Sequence, residues 1–89
     1  MNSPSRYPAV VDGHRGAYGV VVPDMPGACC AMGNTVDEAL LNAESALADF
    51  AMMLEEDGRA IPPPSAIEDI PLEEGEMIAY VTLRVPAAA

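Results

Sequence analysis

One segment limits what this chain can become: residues 36–57 read as a single long amphipathic helix with both ends marked. Thr35-Val36-Asp37-Glu38 has the capping-box pattern. The Thr35 hydroxyl takes the Glu38 N–H while the Glu38 carboxylate returns to the Thr35 N–H. Acids in the first turn also suit the positive end of the helix dipole. Val36, Ala39, Leu40, Ala43, Leu47, Phe50, Ala51 and Leu54 then recur at steps of three and four, which gives one apolar face. Gly58 follows the last periodic residue as a left-handed cap. Such a helix is about 33 Å long, and its apolar face needs a sheet to cover.

The remaining sequence supplies that sheet. The total is 89 residues, which allows one core and hence one domain over residues 1–89. Residues 1–6 read as a loose leader. Tyr7-Pro8-Ala9-Val10-Val11 is the first strand, with Pro8 near its start, where an edge position tolerates a missing N–H. Asp12-Gly13-His14-Arg15-Gly16 is a turn, and Tyr18 to Val22 is an apolar, β-branched central strand. Pro23 to Gly27 reverses the chain again, Ala28 to Met32 is a third short strand, and Gly33 closes it. After the helix, Ile61-Pro62-Pro63-Pro64 runs as a stiff extended connector. Ser65 to Glu68 repeats the capping pattern over one helical turn. Met77 to Val85 is the last strand, with Met77, Ala79, Val81, Leu83 and Val85 on one fully apolar face. The predicted class is α+β, in the order β-β-β-α-β: an antiparallel meander, one long covering helix and a returning strand.

Charge narrows the partners. Four basic residues stand against fourteen acidic ones, for a net charge of −10. Direct nucleic-acid binding relies on Lys and Arg displacing counterions from phosphates, so this chain is read as binding no nucleic acid. A basic protein fits the charge. No run is long and apolar enough to span a membrane, and the N-terminus lacks a basic start followed by an apolar stretch. Adjacent Cys29 and Cys30 make no disulfide framework, and a cytoplasmic location follows. In a strand the two cysteines point to opposite faces, so at most one is buried.

Little in the sequence supports catalysis. His14 is the one histidine and sits at a hairpin tip. No metal-ligand spacing and no phosphate loop is present. Asp12 and Asp24, both at strand ends, are the one carboxylate pair to weigh as a metal site, although acids in turns are usually turn formers. No catalytic residue, metal or cofactor is assigned. Two surface features exceed the needs of a core. Leu41, Ala48 and Met52 form a second, narrower apolar strip on the outer side of the helix. The returning strand has no obvious protection on an outer edge. Together they predict a homodimer or dimer of dimers with Leu41, Ala48 and Met52 at the seam. Glu55-Glu56-Asp57 places three acids at the negative end of the helix dipole, where they cost stability.

Four ordered motifs carry a family resemblance: Tyr7-Pro8-Ala9-Val10-Val11; Gly19-Val20-Val21-Val22-Pro23-Asp24-Met25-Pro26-Gly27; Gly33-Asn34-Thr35-Val36-Asp37-Glu38-Ala39-Leu40 with Asn42-Ala43; and Glu56-Asp57-Gly58 with Ile61-Pro62, Pro64 and Ser65. In these the chain resembles the HicB antitoxins. The resemblance implies a truncated ribonuclease H-like fold and the antitoxin role in a type II toxin–antitoxin pair. It implies a HicA-like partner, a small basic ribonuclease that cleaves mRNA. Asp24, Met25, Glu55, Glu56 and Asp57 are the expected toxin contacts. The alternative is an orphan HicB-fold module that binds another basic protein. Asn34 stands where the family usually has Asp. Five residues rather than four separate Gly27 from Gly33, which predicts a bulge in the third strand. Many family members continue into a DNA-binding domain, and none is expected within residues 1–89.

Overall fold

The computed structural model describes residues 5–25 and 29–83. In chain order the elements are β1 (Ser5–His14), β2 (Ala17–Val22), β3 (Cys29–Gly33), α1 (Val36–Glu56), a 3-10 turn (Ile67–Asp69) and β4 (Met77–Leu83). The strands form one antiparallel sheet in the order β3-β2-β1-β4, with α1 across one face. This is the predicted α+β architecture.

The first strand is longer than its apolar run. It starts at Ser5, with Arg6 opposite Thr82, and continues to His14 opposite Ala17, which leaves Arg15-Gly16 as a two-residue turn. Ser5 and Arg6 therefore belong to the sheet rather than to a leader, and Asp12 to His14 belong to the ladder rather than to the turn. Strand β1 is also central, not an edge. Its pairing still explains Pro8: β2 pairs with β1 from Val10 to His14, whereas β4 pairs from Ser5 to Val11. At Pro8 one flank of the strand lies beyond the β2 ladder, so the missing N–H breaks no pair there.

Tyr7, Ala9, Val11, Val20, Val22, Val81 and Leu83 project from the sheet into the core and meet Ala39, Ala43, Leu47 and Ala51 of α1. The alanines let the helix approach closely, and Leu47 fills the centre. Burying a side chain of that size stabilises by about 1.5–3 kcal/mol. Val36, Leu40 and Phe50 flank the stripe, half-buried, so the helical phase agrees with the sequence periodicity. Met77, on the predicted apolar face of β4, is exposed at the strand's start. Arg84 and Val85 lie outside the described residues, as do residues 1–4 and Pro26 to Ala28.

Both ends of α1 are closed as local rules dictate. Thr35 is the N-cap, its hydroxyl accepting the Glu38 N–H at 3.1 Å. The Glu38 carboxylate reaches one residue further back than the capping box predicts and accepts the Asn34 N–H at 2.8 Å. At the other end, Gly58 N–H donates to the Glu55 carbonyl and Arg59 N–H to the Leu54 carbonyl, with Gly58 at φ 72°. This is a Schellman motif. The β2–β3 ladder runs one-to-one from Val22 opposite Cys29 to Tyr18 opposite Gly33. No bulge therefore lies between Cys29 and Gly33, contrary to the expectation from the added residue. The helical turn after the prolines begins at Ile67, and Ser65 does not cap it.

Candidate protein-interaction surfaces

The outer side of α1 is the most distinctive surface. Leu41 is 66% exposed and Met52 53% exposed, with Ala48 half-buried between them. Leu41, Glu44, Ser45 and Ala48 line an open groove that also borders Thr82 of β4. The groove therefore lies between the helix flank and an outer edge of the sheet. That edge is protected after all, because the Glu44 carboxylate accepts the Thr82 N–H at 3.2 Å. On the opposite flank the Asn42 side-chain amide donates to the Met32 carbonyl of β3 at 2.8 Å. Each edge strand thus gives one backbone group to a helix side chain, a common way of discouraging edge-to-edge pairing. Acids frame the strip: Asp37 lies one turn before Leu41, and Glu55 lies seven residues after Ala48 on the same side of the helix. An apolar floor with a carboxylate rim suits the long side chains of Lys and Arg, whose stems pack while their heads stay charged.

At the helix end, Glu55, Glu56 and Asp57 are all exposed, and the last turn holds no basic residue. The carbonyls of Met53, Leu54 and Glu55 are satisfied by backbone N–H groups of residues 57–59. The three carboxylates are left facing solvent, where a basic partner could reach them.

The other expected contacts have structural roles. Met25 is 2% exposed and packs in the core. An apolar side chain after a Pro-Asp turn is drawn under the sheet's end, so Met25 is not a surface contact. Asp24 is half-buried, its carboxylate accepting the Ser65 N–H at 2.8 Å and the Ser65 hydroxyl. Nearby, the buried Tyr7 hydroxyl donates to the Pro62 carbonyl. Burial pushes the Tyr7 hydroxyl above its ordinary pKa, and the negative charge of Asp24 adds to the shift. These bonds fasten the proline connector across the end of the sheet. Sequence reasoning missed the roles of Asn42 and Glu44; their only signal is that both flank the apolar stripe as polar residues able to span to an edge.

The residues weighed for chemistry do not converge. Asp12 lies beside the β1–β2 turn, opposite Gly19, while Asp24 follows β2 at the far end of that hairpin. About five residues of extended strand separate the two levels, or roughly 17 Å. His14 is exposed near the hairpin tip. Among the described residues no group of three or more His, Cys, Asp or Glu could hold a metal ion, and no helix is long and apolar enough to cross a membrane.

Comparison with known proteins agrees with this geometry. Residues 7–84 match the sequence model of the HicB-like antitoxins of bacterial toxin–antitoxin systems. The chain is similar to the N-terminal domain of the antitoxin HicB of Burkholderia pseudomallei, with 31% identity, a TM-score of 0.72, and coverage of 90% of this chain and 99% of that one. It is also similar to a chain of the HicA3 and HicB3 toxin–antitoxin complex, with 30% identity, a TM-score of 0.69, and coverage of 85% and 94% respectively. An uncharacterised 14.9 kDa protein from the rep-hol intergenic region of Haemophilus phage HP1 is 37% identical over 62 residues. That alignment takes in 70% of this chain and 46% of the phage protein, so the match spans about half the length of the curated relative. The capped helix, the meander that it covers and the motifs that join them place this chain in the HicB-like antitoxin family.

Proposed function

We propose that this chain neutralises a HicA-type toxin, a small basic ribonuclease that cleaves mRNA, by binding over its RNA-binding face in the cytoplasm. The match of residues 7–84 to the antitoxin family carries this reading, and the HicA3–HicB3 complex supplies the partner class. The action is stoichiometric binding rather than catalysis.

Charge supports the choice of surface. Helix α1 carries Asp37, Glu38, Glu44, Asp49, Glu55 and Glu56 and has no Lys or Arg. A basic face that evolved to meet phosphates meets carboxylates here instead, and complementary potentials speed encounter and exclude wrong partners. The strip of Leu41, Ala48 and Met52 adds apolar area beside those acids. Its acidic rim makes it a better contact for a basic toxin than for a second copy of this chain. Asp24 acts indirectly, by holding the connector and the β2–β3 turn in place.

The test is co-expression with a basic open reading frame of toxin size that neighbours the gene. The expected result is a complex that co-purifies and a ribonuclease whose mRNA cleavage stops when this chain is added in equimolar amount. A toxin that cleaves equally fast in the presence of excess chain would contradict the proposal.

A further inference from the structure

Strand β4 stands at one edge of the sheet, and its outer backbone is only partly satisfied. Residues of an antiparallel strand turn their N–H and C=O groups alternately toward one neighbour and away from it. The Thr82 N–H donates to the Glu44 carboxylate of α1, so Thr82 turns away from β1. By the same alternation Tyr80 and Ile78 turn their N–H and C=O groups to the outer side. Met32 obeys this rule at the opposite edge, where its carbonyl accepts the Asn42 amide. Among the described residues no group bonds the outward N–H or C=O of Ile78 and Tyr80. The β4 edge is therefore closed at Thr82 and open at the two preceding outward residues. An unpaired row of this kind is a template for another extended chain.

The helix flank beside this edge selects what can pair there. Side chains of an added strand alternate between the outer sheet face and the side of α1, where Leu41, Ser45 and Ala48 border the groove. Asp37, Glu44 and Glu55 share that flank: at 3.6 residues per turn their directions agree to within about 20°. Helix α1 carries no Lys or Arg to neutralise them. A strand that pairs along the whole edge also takes the Thr82 N–H, which releases the half-buried Glu44 carboxylate. A Lys or Arg on the helix side of that strand meets the released charge, with its stem lying along Leu41 and Ala48. A neutral strand leaves the carboxylate without a partner, and an acidic strand meets like charge. Strand β4 of a second copy is neutral, so it is disfavoured too. Glu44 thus makes the edge selective for basic strands.

We propose that the outer edge of β4 is a strand-addition site for an extended basic segment of a partner protein, with Glu44 exchanging its bond to Thr82 for a Lys or Arg of that segment. That the partner is the toxin rests on the function proposed above; the mode of pairing does not. Amide hydrogen exchange at Ile78 and Tyr80, in the free chain and in its complex with the co-expressed toxin, tests it. Exchange at both should slow roughly tenfold or more in the complex. Glu44→Gln keeps an oxygen that can accept from Thr82 but loses the charge, and should weaken binding several-fold with circular dichroism unchanged. Tyr80→Pro removes an outward N–H without breaking a bond to β1, and should cost most of the binding. A complex in which exchange at Ile78 and Tyr80 is unchanged would overturn strand addition and leave the toxin reading intact. Absence of any complex would count against the toxin reading, and a synthetic peptide alternating Val and Lys then serves as the probe. Slower exchange at Ile78 and Tyr80 with that peptide, and not with its Val–Glu counterpart, would support the site. No change with either peptide, or equal protection by both, would overturn it. Protection that grows with the concentration of the free chain would assign the edge to a second copy and overturn it equally.

Discussion

Tyr7 shows how one residue links distant parts of the chain. It is buried beneath the sheet, yet its hydroxyl reaches the Pro62 carbonyl, 55 residues away. A buried hydroxyl that kept no partner would cost about 1–3 kcal/mol, so the bond fixes where the proline connector lies. Because burial and the Asp24 charge raise the folded pKa, the folded state holds the phenolic proton more tightly than the unfolded chain. The stabilisation is complete below the unfolded value of about 10 and is lost as pH rises through the folded value. Tyr7→Phe should therefore cost about 1 kcal/mol at neutral pH and flatten the loss of stability above about pH 10. Urea midpoints for both proteins through the alkaline range would test this, and parallel losses would show that Tyr7 does not titrate as described. Asp24 was legible only as a turn acid. Its partner Ser65 lies 41 residues on, and no local pattern in the sequence encodes that pairing.

At the scale of elements, β3 and α1 meet in a close backbone approach at Gly33. A Cβ added at Gly33 would lie 2.5 Å from the Ala39 nitrogen and 2.9 Å from its Cα. Both atoms are backbone, so no side-chain rotation makes room and the helix start or the strand must shift. Gly33→Ala should destabilise by about 1–3 kcal/mol through overpacking, measured as a lowered denaturation midpoint; an unchanged midpoint would mean the helix does not start against the strand. The helix itself was fully legible, in phase, N-cap and Gly58 cap, because those signals lie within a few residues of one another. The reach of β1 was not. Ser5-Arg6 and Asp12 to His14 are polar or flexible, and they are extended because β4 and β2 pair with them. The edge contacts of Asn42 and Glu44 likewise depend on how the helix is laid across the sheet, which hydrophobic periodicity does not specify.

The whole molecule divides its surface by charge. Acids crowd the outer helix and its C-terminal end, and the sheet face turned away from α1 carries almost none. The basic class of partner was readable from this chain's net charge of −10, and the family motifs gave that partner a chemistry. The exposure of the candidate contacts was only partly readable: Glu55, Glu56 and Asp57 lie at the surface, while Met25 is core. In the proposed function this acidic helix surface captures a basic toxin. The most direct test of that capture is the association rate with a HicA-type toxin across a salt series, for the wild type and for Glu55→Gln, Glu56→Gln and Asp57→Asn combined. Removing exposed acids near a contact mainly slows encounter and reduces its salt dependence. Folding should be retained or slightly improved, since three charges unfavourable to the helix dipole are gone. The predicted result is slower association, a shallower salt slope and a modest loss of affinity; identical rates and slopes for the two proteins would contradict it.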